Sequence, residues 1–466
     1  MPTSMLRRTS PARVVYSVAG LYATLFVAAT VAKHLEYGTT RLDLGNMTQA
    51  VWNTAHGRFL EYTAQDGRQM SRLGVHSDPF LALLAPLSWL GSTPLALLVF
   101  QALAVTTGVL PVYWLARKHL RTEQSAAMLA IVYLLYPATQ FNALPPEGFH
   151  SSSIGIPLIL FAIWFLDDDR LIPFGVFALL AAATKEEMPL AVGCLGVWYA
   201  FARGRPRVGI PVFLGGVAAA AVNFLVVIPH FAPPGVHPFR ERYAAVGGTP
   251  TGIVRKLFTD PSAAASTVFT THHFVYLVLL FAPLLGLWAR QPLLAACALP
   301  ELAVNLLTSK PSQTTIFFHY TAGIVPFALA ASVFGAATVR RRQADVCTWL
   351  LAAVATTALL SPLWGLRNLD HLSASNPTHE ARKAALAKIP PDAAVSATNY
   401  LGPQLAERRR LLDFPVTRGA DWVIADVADP TYAPGKIATN LARLTSSGRW
   451  RTVYRVATVH VLRRLR

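Results

Sequence analysis

Long apolar runs alternate with short polar breaks over most of the chain, and run length decides what each can be. About 20 apolar residues suffice to cross a bilayer as a helix, whereas runs of about 10 to 14 more often lie in the interface or re-enter. On that rule eleven spans are predicted, near residues 14–32, 94–116, 125–142, 152–166, 171–184, 187–202, 208–229, 273–289, 291–308, 316–338 and 345–363. The runs at 152–166 and 171–184 are short for full spans. Pro79–Leu90 has only twelve residues and two prolines, so it is expected to be interfacial or re-entrant. Leu44, Met47, Val51 and Thr54 recur at helical spacing beside Trp52, which predicts an amphipathic helix over 43–56 on the membrane surface, with Asp43 either its N-cap or a functional carboxylate.

After Pro362 short apolar stretches alternate with charge. Residues 393–399 and 421–427 read as strands, 402–410 as a short helix and 449–465 as a terminal hairpin. The expected organisation is a transmembrane domain, 1–365, carrying external loops at 33–93 and 230–271, followed by a soluble α/β domain, 366–466.

Composition supports the class: with 53% hydrophobic and 14% charged residues in 466, the chain reads as a polytopic α-helical membrane protein. The net charge of +17 lies largely in short Lys/Arg clusters between apolar runs, the habit of cytoplasmic loops, so a nucleic-acid partner is not expected. With the N-terminus cytoplasmic, eleven spans put 116–121, Arg170, 203–207, Arg290 and 340–342 all in the cytoplasm. Counting Pro79–Leu90 as a span would move every one of these outside. The same parity makes the C-terminal domain extracytoplasmic. Val14–Ala32, preceded by Arg7, Arg8 and Arg13, reads as an uncleaved first span. Cys194, Cys297 and Cys347 fall inside apolar runs without metal-ligand spacing and imply no disulfide framework.

Parity leaves most membrane-flanking acids and imidazoles on the outer face: Asp43, His76, Asp78, Glu147, His150, Glu186, Glu187, His230, His237, His272, His273 and His319, with Lys185 and Lys310. In "GVHSDPF", His76 and Asp78 suit a divalent cation or a phosphate site, although Pro79 also makes Asp78 a plausible helix cap. Glu147 and His150 in "LPPEGFH" are costly beside lipid and favour a water-filled cavity. In "TKEEMP", Lys185 is a point charge for phosphate, and Glu186 or Glu187 would position it or hold a metal; a solvated turn is the alternative. Arg240, Arg242 and Tyr243 could meet an anionic headgroup or a sugar, or belong to a linker. Lys310, Gln313, His319 and Tyr320 in "LTSKPSQTTIFFHY" suit phosphate recognition. The C-terminal domain has no Gly-rich phosphate loop, which leaves acceptor-glycan binding or a structural cap over the site.

Five motifs in order, "LDLGNMTQAVWNTAHGRFL", "HSDPFLALLAPL", "YLLYPATQ", "TKEE" and "HYTAGIVPF", resemble the bacterial membrane-protein family called domain of unknown function 2079, over roughly residues 35–430. That family is similar in layout to the glycosyltransferase C superfamily. The resemblance implies inverting hexosyl or pentosyl transfer from a polyprenyl-phosphate-linked donor, on the extracytoplasmic face of the bacterial plasma membrane, in cell-envelope glycan or glycolipid assembly. It implies a glycan, lipid or protein acceptor and contact with membrane lipids. Asp43 would be the first-loop base, although the loop lacks a clear paired-acid motif. Lys185, His150, Lys310 and His319 would stabilise the donor phosphate. His76, Asp78, Glu147 and Glu186 would be the acids or ligands of a divalent ion, Mg or Mn. A transporter or flippase of a lipid-linked or anionic solute, or a non-catalytic envelope-assembly subunit, are the alternatives.

Overall fold

Every one of the eleven apolar runs contains helix in the computed structural model, which describes residues 10–236, 238–339, 342–358 and 377–465. Arg7, Arg8, His237, residues 340–341 and the expected domain boundary at 365 lie outside the described residues. Helix Pro11–Leu35 starts where Ser10 Oγ accepts the Arg13 N–H and Pro11 fills the first turn. Pro137 cannot continue the ladder of Glu123–Leu135, and the chain bends there by 55° into Pro137–Ala143. Among the described residues three helices can cross a membrane by length and composition, Pro11–Leu35, Thr93–His119 and Pro206–Phe231, or five if each of two bent pairs is one span; five further apolar helices have 10–17 residues. Helices Met188–Ala202 and Pro206–Val222 lie against each other at Gly193, Gly196, Gly209 and Gly216, where a Cβ would strike the facing backbone.

The basic turns gather at one end. Lys118 Nζ and Arg203 Nη2 converge on the buried Asp167 carboxylate at 2.8 and 3.0 Å, with His119 Nε2 also at 2.8 Å. Arg205 pairs with Asp169, and Arg290 donates to Thr338 Oγ1. Helix Pro11–Leu35 runs from this end to the other. Near its start Tyr16 packs edge-on against Tyr113, whose hydroxyl donates to Glu123; near its finish Lys33 Nζ donates to the carbonyls of Pro145 and Pro146 at 3.0 and 2.6 Å.

Several elements differ from expectation. Residues 43–56 do not form a helix lying on the membrane surface. A π-turn, Arg41–Gly45, leads into helix Asn46–Ala55, and Asn46–Val51 and Asn53 are buried. The polar side chains are absorbed by the C-terminal unit and the first loop: Gln49 Nε2 donates to the Arg408 and Arg409 carbonyls at 3.0 and 2.8 Å, and Asn53 Nδ2 to Glu61 O at 2.9 Å. Asp43 lies inside the π-turn, so it is not the N-cap. The run 316–338 becomes α-helical only at Val325, because its start is held in turns; there Asn305 Nδ2 donates to Tyr320 O at 2.7 Å. Pro79–Leu90 is one α-turn and a 3-10 segment. The loop 230–271 contains two helices, Pro250–Thr259 and Pro261–Val268, capped by the Thr249 and Asp260 side chains.

Strands β1 (Glu61–Thr63) and β2 (Gln69–Ser71) form an antiparallel hairpin in the first loop. The C-terminal unit contains β3 (Val395–Ala397), β4 (Leu411–Asp413), β5 (Trp422–Asp426), β6 (Trp450–Val456) and β7 (Val459–Arg464), in the order β4-β3-β5-β7-β6. β3 is parallel to β4 and β5, while β7 runs antiparallel to β5 and β6. Helices Pro377–Leu386 and Lys436–Ser446 and strand β4 were not expected, and the segment 402–410 is helical only as a 3-10 turn, Gly402–Leu405. Arg41, completely buried, ties this unit to the first loop: its guanidinium pairs with Asp413 at 2.5 Å and donates to the carbonyls of Thr63 and Leu411 at 2.8 and 2.6 Å.

Candidate active site beneath the first loop

The loops opposite the basic end enclose a cavity of about 580 Å³. Asp43, Glu147, His150 and His319 line it, together with Lys185 and Lys310. His76 and Asp78 reach its wall as well, so eight of the nine residues proposed from sequence for catalysis, phosphate or metal meet in one space. The ninth, Glu186, lines the adjoining apolar pocket of about 210 Å³.

Each side chain is brought in by a local device. The π-turn aims Asp43 inward, and Thr40 Oγ1 donates to its Oδ2 at 3.1 Å. The Pro145-Pro146 loop, pinned by Lys33, presents Glu147, and Gly148 at φ +117° turns the chain where a Cβ would press on Leu44. His150 follows, its N–H donated to Gln101 Oε1 at 2.7 Å. Its imidazole stacks on His319 with ring centroids 3.5 Å apart. His150 Nε2 faces both acids, 3.6 Å from Glu147 Oε2 and 3.8 Å from Asp43 Oδ1.

The two carboxylates are driven apart in acidity. Burial, and then the nearby Glu147, push Asp43 above the usual aspartate range. Burial would raise Glu147 too, but the His150 imidazole 3.6 Å away and the charges of Lys310 and Lys33 hold it below the usual glutamate range. Paired carboxylates displaced in opposite directions are how one site keeps an anion and a proton acceptor side by side. Asp43 keeps 26% of its side chain exposed, so a substrate can reach it.

Glu147, His150 and His319 place ligand atoms within 4.8 Å of one another and form a group able to hold a metal ion. The donor set fits: His150 Nε2 and His319 Nδ1 are buried without a hydrogen-bond partner, as nitrogens awaiting a cation would be.

The other residues divide by their partners. Asp78 is buried and engaged by Arg72 Nε at 2.8 Å. Glu186 takes His76 Nδ1 at 2.9 Å and the Ser77 N–H at 3.1 Å. Burial opposes its charge, but His76 and Lys185 bring Glu186 down to about 2. Lys185 forms ion pairs with Glu187 and, at 3.7 Å, with Glu301, which keep it charged despite burial. Lys310 is freer, since its Nζ donates to the Tyr320 hydroxyl at 3.1 Å. Arg242 and Tyr320 also line the cavity. His230, His272 and His273 do not line it. Sequence reasoning missed Arg72 and Glu301. A carboxylate inside the apolar run 291–308 was itself a signal, since such groups face a bundle interior or cavity.

This helical fold, with a loop-enclosed polar cavity at one end, has counterparts among solved membrane proteins. ArnT from Cupriavidus metallidurans bound to undecaprenyl phosphate is similar with a TM-score of 0.60 at 11% identity, covering 98% of each chain. ArnT in the apo state gives 0.53 at 12% identity over 96% of this chain and 98% of the other. An oligosaccharyltransferase of Archaeoglobus fulgidus gives 0.45 at 13% identity, over 84% of this chain and 64% of that one. The expected likeness to the glycosyltransferase C layout therefore holds for the fold. By sequence the chain belongs to the DUF2079 family of predicted membrane proteins, whose model matches residues 33–459. No curated protein matches it by sequence.

Proposed function

We propose that the protein is an integral-membrane glycosyltransferase that takes a sugar from a polyprenyl-phosphate donor in this cavity and inverts the anomeric centre. The observation carrying this reading is the convergence on one cavity of a reachable carboxylate, Asp43, with two ammonium groups, Lys185 and Lys310. The likeness in fold to a protein solved with undecaprenyl phosphate supports the choice of donor. The cavity faces the extracytoplasmic side, with the C-terminal unit beside it and the basic end in the cytoplasm. The eleven-span topology is part of the same reading.

Asp43 takes the proton of the acceptor hydroxyl as its oxygen attacks the anomeric carbon. Its raised basicity suits the task. Lys310 meets the departing phosphate, with Lys185 behind it, and this charge stabilisation is the larger share of the catalysis. Glu147, His150 and His319 would hold a divalent cation, and two imidazoles favour Mn over Mg. Such an ion supplies Lewis-acid neutralisation of the leaving phosphate. The pocket beside Lys185, with Phe224, Phe239 and Ile253 on its wall, would take the first isoprene units.

The test is turnover of polyprenyl-phosphate-linked hexose and pentose by the purified chain in nanodiscs. Asp43→Asn should lose about 10²- to 10⁴-fold in rate while still binding donor. Lys310→Ala, losing a charged hydrogen bond worth about 1.5–3 kcal/mol, should weaken donor binding by about 10- to 150-fold. Wild-type rates in both variants would remove this reading.

A further inference from the structure

Transfer needs an acceptor, and none of the residues lining the main cavity belongs to the C-terminal unit. A second cleft, of about 260 Å³, joins the two. Leu42 and Gln65 of the first loop line both spaces, and Asn399, Thr431, Tyr432 and Lys436 of the C-terminal unit form much of the cleft's other wall. Leu42 immediately precedes Asp43, so the cleft meets the cavity beside the reactive carboxylate.

The groups on these walls are those that read hydroxyls. Gln65 is exposed and its amide makes no hydrogen bond among the described residues, which leaves two donors and an acceptor open. Thr431 is exposed; its Oγ1 accepts from Asn399 Nδ2 at 3.1 Å and keeps its own O–H to donate. Asn399 is fixed in turn, since its Oδ1 accepts the Leu42 N–H at 3.2 Å. The Tyr432 hydroxyl donates to Phe414 O at 2.9 Å, so its ring is held in place on the wall. An anchored aromatic ring beside free amide, hydroxyl and ammonium groups matches a sugar, which has an apolar C–H face and a rim of hydroxyls. The volume lies below the range of about 300–1,000 Å³ that holds a drug-sized ligand, which suits a sugar ring better than a folded peptide.

We infer that this cleft is the acceptor subsite and that the acceptor is a carbohydrate, an assignment resting on the transferase reading of the main cavity. The acceptor's hydroxyl oxygen passes Leu42 and bonds to the donor's anomeric carbon. Its proton goes to Asp43, and the bond from that carbon to the phosphate oxygen breaks with its electron pair leaving on the polyprenyl phosphate.

The experiment is saturation-transfer NMR on the full chain in nanodiscs, with the methyl glycosides of mannose, glucose, galactose and arabinose as probes. At least one glycoside should receive saturation. Gln65→Ala and Thr431→Val should each cut that signal at least threefold, and Asp43→Asn should keep it. Both altered side chains are exposed, and an unchanged melting temperature checks that the variants fold. No saturation from any glycoside, or a signal indifferent to both substitutions, overturns the assignment. The readout needs no donor, so failure of the transferase reading shows separately, as an absence of donor turnover by the wild-type chain.

Discussion

Lys185 is one cation among three buried carboxylates, Glu186, Glu187 and Glu301, and this sets what can be changed there without collapse. Removing one partner of a buried ion pair leaves an uncompensated charge and costs about 3–5 kcal/mol, so Lys185 variants report on stability as much as on chemistry. Glu186 gives a cleaner measurement. A glutamate held at about 2 in the fold, against an ordinary 4.5 when unfolded, adds stability that is complete above pH 4.5 and is lost as pH falls towards about 2. The displacement is worth about 3 kcal/mol at neutral pH. Wild type should therefore lose more melting temperature than Glu186→Gln between pH 6 and pH 3; parallel curves would contradict the account. Most of the candidate residues were legible as charged groups stranded between apolar runs. Their partners were not, because spacing along a chain carries nothing about which acid meets which base. Nothing in "GVHSDPF" says that Asp78 is claimed by Arg72.

At the scale of elements, the legible part was the apolar runs and the obscure part was whatever a second segment had to satisfy. Residues 43–56 read as a surface helix from the helical spacing of Leu44, Met47, Val51 and Thr54, which leaves Gln49 and Asn53 of helix Asn46–Ala55 on the opposite, polar face. That face is buried because backbone carbonyls from Glu61, Arg408 and Arg409 receive the amides, which removes the desolvation cost. The loop 144–150 illustrates the opposite case, in which sequence announces the geometry. Two prolines stiffen it, Lys33 pins both their carbonyls, and Gly148 turns it at a φ that L-residues rarely adopt. Gly148→Ala should cost about 1–3 kcal/mol. Because its Cβ would also press on Leu44, two residues before the helix that follows Asp43, the variant should pull Glu147 and His150 away from Asp43. The expected outcome is a folded protein, with a modestly lower melting temperature, whose manganese affinity falls at least tenfold by calorimetry. Unchanged affinity would mean that the loop does not set the ligand geometry.

For the molecule as a whole, polarity between its two ends was the most legible feature, since it is written in two independent sets of residues. Lys118 and Arg203 meet on Asp167, Arg205 pairs with Asp169 two residues on, and Arg290 donates to Thr338. Asp43, Glu147, His150 and Lys310 are drawn together at the cavity. Helix Pro11–Leu35, about 37 Å long at 1.5 Å per residue, connects the two ends and exceeds the roughly 30 Å hydrocarbon core of a bilayer. In the proposed topology one end faces each compartment, and the clustered Lys and Arg would select the cytoplasm for theirs. Single cysteines placed at Gln65 and Lys436 should react with an impermeant maleimide on intact spheroplasts, because both positions are exposed beside the cavity. Cysteines at Arg117 and Arg205, with side chains 64% and 57% exposed, should react only after permeabilisation. The native Cys297 and Cys347 are buried and Cys194 is partly so, which keeps the background low. Labelling of Gln65 and Arg205 from the same side would place both ends in one compartment. An extracytoplasmic reaction fed by a lipid-linked donor would then have no route across this fold.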